Sequence, residues 1–156
     1  MIKILFVCLG NICRSPMAQM VFQNMVNELN IENYFEINSA GTEGYNEICN
    51  MGIHRGTKEI LTRKKIPFEE HYSRKLRKQD YQYYDYIIAM DSENIRDIER
   101  IVGIDYDHKT CRLLDYTATP RNIKDPWYTG NFDETYDDIT EGCKELLKTI
   151  RAKANI

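Results

Sequence analysis

Residues 8 to 15, Cys-Leu-Gly-Asn-Ile-Cys-Arg-Ser, follow directly on the apolar run Ile4-Leu5-Phe6-Val7 and precede Pro16. The run suits a buried strand, and Pro16 suits the first position of a helix, where a missing N–H costs little. A strand, a tight loop and a helix start are thus compressed into the first sixteen residues. The backbone amides of Leu9, Gly10, Asn11, Ile12, Cys13 and Arg14 can then converge on an anion at a helix N-terminus.

The residue types suit an attack on that anion. Cys8 opens the turn, Arg14 follows after five intervening residues, and the amides, the helix dipole and Arg14 together favour a thiolate at Cys8. Arg14 offers a planar fork for two phosphate oxygens, which lysine lacks. Gly10 permits close backbone approach, and Asn11 is of a type that tolerates left-handed dihedrals. Two tasks are open to Ser15: N-cap of the helix, and hydroxyl donor to the Cys8 sulfur. A buried, inert Cys8 is the competing reading of the cysteine alone; the strand-loop-helix setting of the whole octet favours the anion cradle.

With 156 residues and 42% apolar content, the chain suits one domain spanning residues 1–156 that buries roughly two thirds of its unfolded surface. A net charge of -3 gives no electrostatic case for a nucleic-acid or anionic-membrane partner. Five scattered cysteines, with no C-x-x-C pair, suggest reduced thiols in a cytoplasmic setting. The opening residues lack the cleavage site of a signal peptide and read as strand.

Downstream, helices and strands alternate. Ala18, Val21, Phe22, Met25, Val26 and Leu29 form one helix face, and Phe35 to Ala40 reads as a second strand. A helix is expected from about His54 to Lys65, before Pro67. Tyr86 to Met90 reads as a third strand; Asp91 or Ser92 then caps a helix carrying Ile95, Ile98, Ile101 and Val102, which Gly103 ends. Cys111 to Leu114 suits a fourth strand. From Phe132 to Ile150 a long amphipathic face follows, with Asn131 and Glu134 placed like a capping box. Strands separated by helices imply an α/β fold with a parallel sheet covered on both faces, whose ligands sit at the carboxyl ends of the strands, where Cys8 lies.

In the loop before the last helix, Lys124-Asp125-Pro126-Trp127-Tyr128 combines a carboxyl group, a stiff backbone and two aromatics. Expelling an alkoxide or phenolate from a phosphate ester needs an acid, and Asp125 can serve; Trp127 and Tyr128 can wall a slot for a flat ring. An ordinary Asp-Pro turn is the alternative for this segment taken alone.

Phe6 to Pro16, Ser39-Ala40-Gly41-Thr42, Asp85-Tyr86-Ile87 with Met90-Asp91, and Asp125 to Tyr128 together resemble the low-molecular-weight protein tyrosine phosphatases over nearly the whole chain. The resemblance implies a four-stranded parallel sheet with flanking helices, of the phosphotyrosine protein phosphatase I type. It also implies cofactor-free and metal-free hydrolysis of protein phosphotyrosine and small aryl phosphates through a phosphocysteine. By the same resemblance Cys8 is the nucleophile, Arg14 the phosphate clamp and Asp125 the acid that later acts as base. Ser15 steadies the thiolate, Asn11 and Ser39 form a hydrogen-bonded pair that shapes the loop, and Cys13 partners Cys8 in a reversible disulfide or merely fills space beneath the loop. Ile12, Tyr45, Trp127 and Tyr128 form the substrate wall, and His71 with Arg74 braces the loop. Expected partners are a tyrosine-phosphorylated protein, phosphate and oxyanion inhibitors, with the chain a monomer or weak dimer.

The segment Asn46 to Gly52 departs from the family pattern and contains Cys49. No role is expected for His54 or His108; the stretch Arg74 to Lys78 reads as a solvated face, and Tyr81 to Tyr84 as packing aromatics. Four other readings share part of this pattern. An arsenate reductase needs two further cysteines close together, but Cys111 and Cys143 are far apart in sequence. A protein-arginine phosphatase typically carries threonine where this chain has Ile12. A non-hydrolytic phosphocysteine carrier has no need of Asp125, and a pure phosphopeptide-binding module has no need of the full trio.

Overall fold

The computed structural model describes residues 1–156. Strand β1 (Ile2–Cys8) runs through the loop into helix α1 (Arg14–Glu28), and a short 3₁₀ turn at Glu32–Tyr34 leads to β2 (Phe35–Gly41). Helices α2 (Tyr45–Ile48), α3 (Arg55–Arg63) and α4 (Asp80–Tyr83) precede β3 (Tyr86–Ala89), α5 (Ser92–Val102) and β4 (Thr110–Arg112). A 3₁₀ turn at Leu113–Tyr116, helix α6 (Pro126–Thr129) and the long α7 (Phe132–Ala154) complete the chain. All strands are parallel, in the order β2-β1-β3-β4, as the βαβ pattern requires.

The alternation of β1 divides the interior between two faces. Ile4, Phe6 and Cys8 join a cluster of 25 buried residues with α1, α3 and α7, while Leu5 and Val7 join a cluster of nine with Ile98 and Val102 of α5. Phe6, Phe22 and Phe35 pack in series across the larger face, tilted and then edge to face, with ring centroids 5.8 and 5.7 Å apart. No helix is long and apolar enough to cross a membrane.

The connection after β1 leads to β2 on one side and the connection after β3 leads to β4 on the other, so a crevice opens at the carboxyl ends of β1 and β3. Cys8 ends β1, and Asp91 stands just past β3.

Several local expectations need correction. Helix α1 begins at Arg14 with Cys13 as its N-cap, so Pro16 is the third helical residue and Ser15 is not the cap. Proline fits there because the first four amides of a helix lack intrahelical acceptors. The apolar stripe of α1 fades beyond Val26, and Leu29 is half exposed just past the last turn. His54 caps α3 rather than lying inside it, since its Nδ1 accepts from Gly56 N at 2.9 Å. Leu113 and Leu114 leave the sheet for a 3₁₀ turn that buries both against the core. At α7 only one arm of the capping box forms: Asn131 Oδ1 accepts from Glu134 N at 3.0 Å, while Asn131 N donates to Thr129 Oγ1. The Arg74 to Lys78 stretch is not simply solvated, because Leu76 is buried and Arg74 pairs with Asp80.

Candidate active site

The loop after β1 forms a bowl whose carbonyls are all engaged from outside. Cys8 O accepts from Thr42 N and Leu9 O from Glu43 N, each at 3.0 Å, and Ile12 O accepts from His54 N at 2.8 Å. Two side chains donate to Gly10 O: Asn46 Nδ2 at 3.0 Å and Ser73 Oγ at 2.9 Å. His71 Nε2 lies 3.4 Å from Asn11 O, and Thr57 Oγ1 donates to Cys13 O at 3.2 Å. With these carbonyls held outward, Asn11 N reaches Cys8 Sγ at 3.3 Å. A Cβ at position 10 would lie 2.6 Å from Asn46 Nδ2, so a larger residue there would push the Asn46 side chain off Gly10 O.

Asn11 is fully buried with a φ of 56°, the left-handed conformation its residue type permits. Its amide donates to Ser15 Oγ at 2.8 Å and Ser39 Oγ at 3.0 Å, while its Oδ1 accepts from Arg74 N at 3.0 Å. Ser39 passes its own hydrogen to Gln19 Oε1 at 2.6 Å. Since Ser15 Oγ already accepts from Asn11, its hydrogen is free for Cys8 Sγ at 3.0 Å, closer than its other acceptor, Ala40 O at 3.4 Å. The sulfur, 3% exposed, therefore meets two donors at the floor of the bowl.

Arg14 enters from the first turn of α1 and is almost completely buried. Its Nη1 donates to Asp91 Oδ2 at 2.6 Å and Ile123 O at 2.8 Å, and Nη2 reaches Asp125 Oδ2 at 3.4 Å. Burial works against the positive charge, but Cys8, Asp91 and Asp125 outweigh it and hold the Arg14 pKa above its ordinary range. Burial also pushes the Cys13 thiol up to about 12, with the Cys8 and Asp125 charges adding to it and Arg14 opposing. His71 is held below its ordinary value, chiefly by burial and further by Arg74, with the Asn11 carbonyl opposing.

Asp125 is the N-cap of α6, its Oδ1 accepting from Trp127 N at 3.0 Å. The segment expected to be loop is thus a single helical turn, started by Pro126 and ended by left-handed Gly130. A cleft of about 240 Å³ is lined by Cys8, Leu9, Gly10, Ile12, Cys13 and Arg14 from the bowl, and by Tyr45, Asp125, Trp127 and Tyr128 above it. Tyr45, Trp127 and Tyr128 are 65%, 60% and 78% exposed and form its rim. Ser39 and His71 stand behind the bowl rather than in the cleft.

Four residues at the site escape a reading of the sequence as catalytic motifs: Asp91, Asn46, Ser73 and His54. Asp91 is read as a helix cap and within a family-like stretch but with no role beside Arg14, and Asn46 lies in the segment that departs from the family pattern. Ser73 and His54 act through backbone carbonyls of the bowl, for which no residue pattern exists.

The family described as low molecular weight phosphotyrosine protein phosphatase matches residues 3–155. The chain is 42% identical over 158 residues to low molecular weight protein-tyrosine-phosphatase YfkJ of Bacillus subtilis, covering 100% of both proteins. It is 34% identical to low molecular weight protein-tyrosine-phosphatase PtpA of Staphylococcus aureus, covering 100% of this chain and 98% of PtpA. The crystal structure of YfkJ matches with a TM-score of 0.92 at 41% identity, over 98% of this chain and 96% of that one. DARP, a drosophila arginine phosphatase, matches with a TM-score of 0.84 at 28% identity, over 96% and 98% of the two chains. With the sheet order, the bowl and the end-to-end similarity in agreement, the chain belongs to the low molecular weight phosphotyrosine protein phosphatase family.

Proposed function

We propose that this protein hydrolyses phosphotyrosine in proteins, with Cys8 as nucleophile, Arg14 as phosphate clamp and Asp125 as general acid. The observation that carries the reading is the convergence on one cleft of the Cys8 sulfur, the anchored Arg14 fork and the Asp125 carboxyl group. The Cys8 thiolate attacks phosphorus while the aryl oxygen leaves, taking a proton from protonated Asp125. Water then attacks the phosphocysteine, Asp125 takes its proton, and the sulfur departs as a thiolate that receives the Ser15 hydrogen bond. Arg14 and the bowl amides hold the phosphoryl oxygens, whose charge is redistributed during transfer.

An aryl substrate is favoured by the apolar side of the cleft, where Ile12 faces Tyr45, Trp127 and Tyr128. The relation to DARP makes phosphoarginine the comparison substrate, and Ile12 in place of a hydroxyl argues for the aryl ester. Cys111 sits beside Tyr116 and Cys143 beneath Ala18, neither lining the cleft, which weighs against a disulfide relay of the arsenate reductase kind. A phosphoryl carrier has no use for an acid placed beside the clamp.

The purified protein is expected to hydrolyse p-nitrophenyl phosphate in EDTA, and Cys8→Ser to abolish turnover while still binding phosphate. An active Cys8→Ser, or activity that requires added metal, overturns the mechanism. Rates on phosphotyrosine, phosphoserine and phosphoarginine peptides rank the substrates, with phosphotyrosine expected first and phosphoserine last.

A further inference from the structure

His54, which does not itself line the cleft, joins the bowl to α3 and to the segment that carries Trp127 and Phe132. Its backbone N–H donates to Ile12 O of the bowl at 2.8 Å, and its Nδ1 caps α3 by accepting from Gly56 N at 2.9 Å. That acceptor role fixes the proton of the neutral ring on Nε2. One face of the imidazole stacks on Phe132 with centroids 5.2 Å apart and an interplanar angle of 18°, and Trp127 meets it edge to face at 5.7 Å and 81°. Phe132 lies so close to Gly56 that a Cβ there would come within 2.4 Å of its ring.

Trp127 is 60% exposed, and the His54 imidazole is the aromatic ring packed against its indole. The Trp127 backbone amide in turn fixes Asp125, whose Oδ1 accepts from it. We propose that His54 is a positioning residue for the reaction: its ring seats Trp127, and through the turn of α6 it sets where Asp125 stands over Cys8 and Arg14. The bowl and the acid-bearing segment then share one registration point, because the same residue holds Ile12 through its backbone and Trp127 through its ring. The consequence for catalysis rests on the reading of Asp125 as general acid; the seating of Trp127 does not.

The two tasks of His54 separate by substitution. His54→Asn keeps a good N-cap for α3 and removes the ring, whereas His54→Phe keeps a ring and removes the cap acceptor. Trp127 is the single tryptophan in the chain, so acrylamide quenching of intrinsic fluorescence reads its seat directly. His54→Asn is expected to increase quenching and to lower kcat/KM for phosphotyrosine by about three- to tenfold, the scale of one aromatic contact. The loss should be smaller with p-nitrophenyl phosphate, whose leaving group depends less on the acid. His54→Phe should restore both quenching and the phosphotyrosine rate toward wild type. Wild-type quenching and rates in His54→Asn overturn the proposal, as does a His54→Phe protein that folds yet restores neither. If Asp125→Ala shows no leaving-group dependence, the acid assignment fails while the quenching comparison still tests the seat.

Discussion

Arg14 and Asp91, 77 positions apart in sequence, are joined at 2.6 Å across the carboxyl ends of β1 and β3. The Asp91 carboxylate is itself immobilised: its Oδ1 accepts from Asn94 N at 2.8 Å, while Asn94 Oδ1 accepts from Asp91 N at 3.2 Å, a capping box that starts α5. One oxygen therefore serves the helix and the other the guanidinium. Anchoring Nη1 to Asp91 and Ile123 O holds the guanidinium in a fixed plane, as the proposed phosphate clamp requires.

Separating these two tasks gives a first prediction. Asp91→Asn retains a cap acceptor and removes the charge that orients Arg14, so kcat/KM for aryl phosphates should fall by about 10- to 100-fold with a modest change in unfolding midpoint. Asp91→Ala loses the cap as well and should unfold about 1 kcal/mol more easily than the Asn variant. Steady-state kinetics with urea unfolding checks this; equal activities in Asp91→Asn and wild type would remove Asp91 from the clamp.

Asp125 supplies a second. The proposed general acid matters most where the leaving oxygen is basic, so Asp125→Ala should reduce turnover of phosphotyrosine by about 100-fold or more and that of p-nitrophenyl phosphate much less. Equal losses on the two esters would return Asp125 to its local task of capping α6.

What the sequence reveals of this site follows from how each residue acts. The Cys8 to Arg14 loop is legible because strand, turn and helix signals sit next to one another, and Asn11 is of the type its left-handed φ demands. Helices α2, α4 and α6 escape notice because four residues carry no periodicity. The Arg14 to Asp91 pair is not legible because only the sheet order brings the two ends together. Asn46, Ser73 and His54 escape for another reason: they hold main-chain carbonyls, which every residue possesses.

A third prediction concerns acid stability. Burial, assisted by Arg74, holds the His71 pKa below its ordinary 6.5, so between those values the unfolded chain binds more protons than the folded one. Stability therefore rises with pH through that window and is lost as pH falls from about 6.5. His71→Gln has no such proton to take up, and its stability should decline less on acidification over the same range. Urea midpoints at about pH 7.5, 6.5 and 5.5 test the difference; parallel curves for the two proteins would show that His71 does not contribute this slope.

The last prediction sets two oxidation outcomes against each other at Cys8. Peroxide converts the Cys8 thiolate to a sulfenic acid, after which either Cys13 attacks that sulfur, forming a disulfide as hydroxide leaves, or a second peroxide carries Cys8 to a sulfinic acid. Cys13 must shed its proton to attack, and burial has pushed its thiol up to about 12. Once Cys8 is an uncharged sulfenic acid its repulsion disappears, but burial, the largest cause, remains. Closure should thus be limited by the Cys13 thiolate fraction, which grows about tenfold per pH unit below its pKa. Brief peroxide treatment, alkylation and mass spectrometry are expected to find a Cys8 to Cys13 bridge whose share rises from about pH 6.5 to about 8.5 at the expense of sulfinic Cys8. Finding only over-oxidised Cys8 throughout would assign Cys13 to packing beneath the bowl, consistent with its 5% exposure and with Thr57 and Met17 holding its carbonyl.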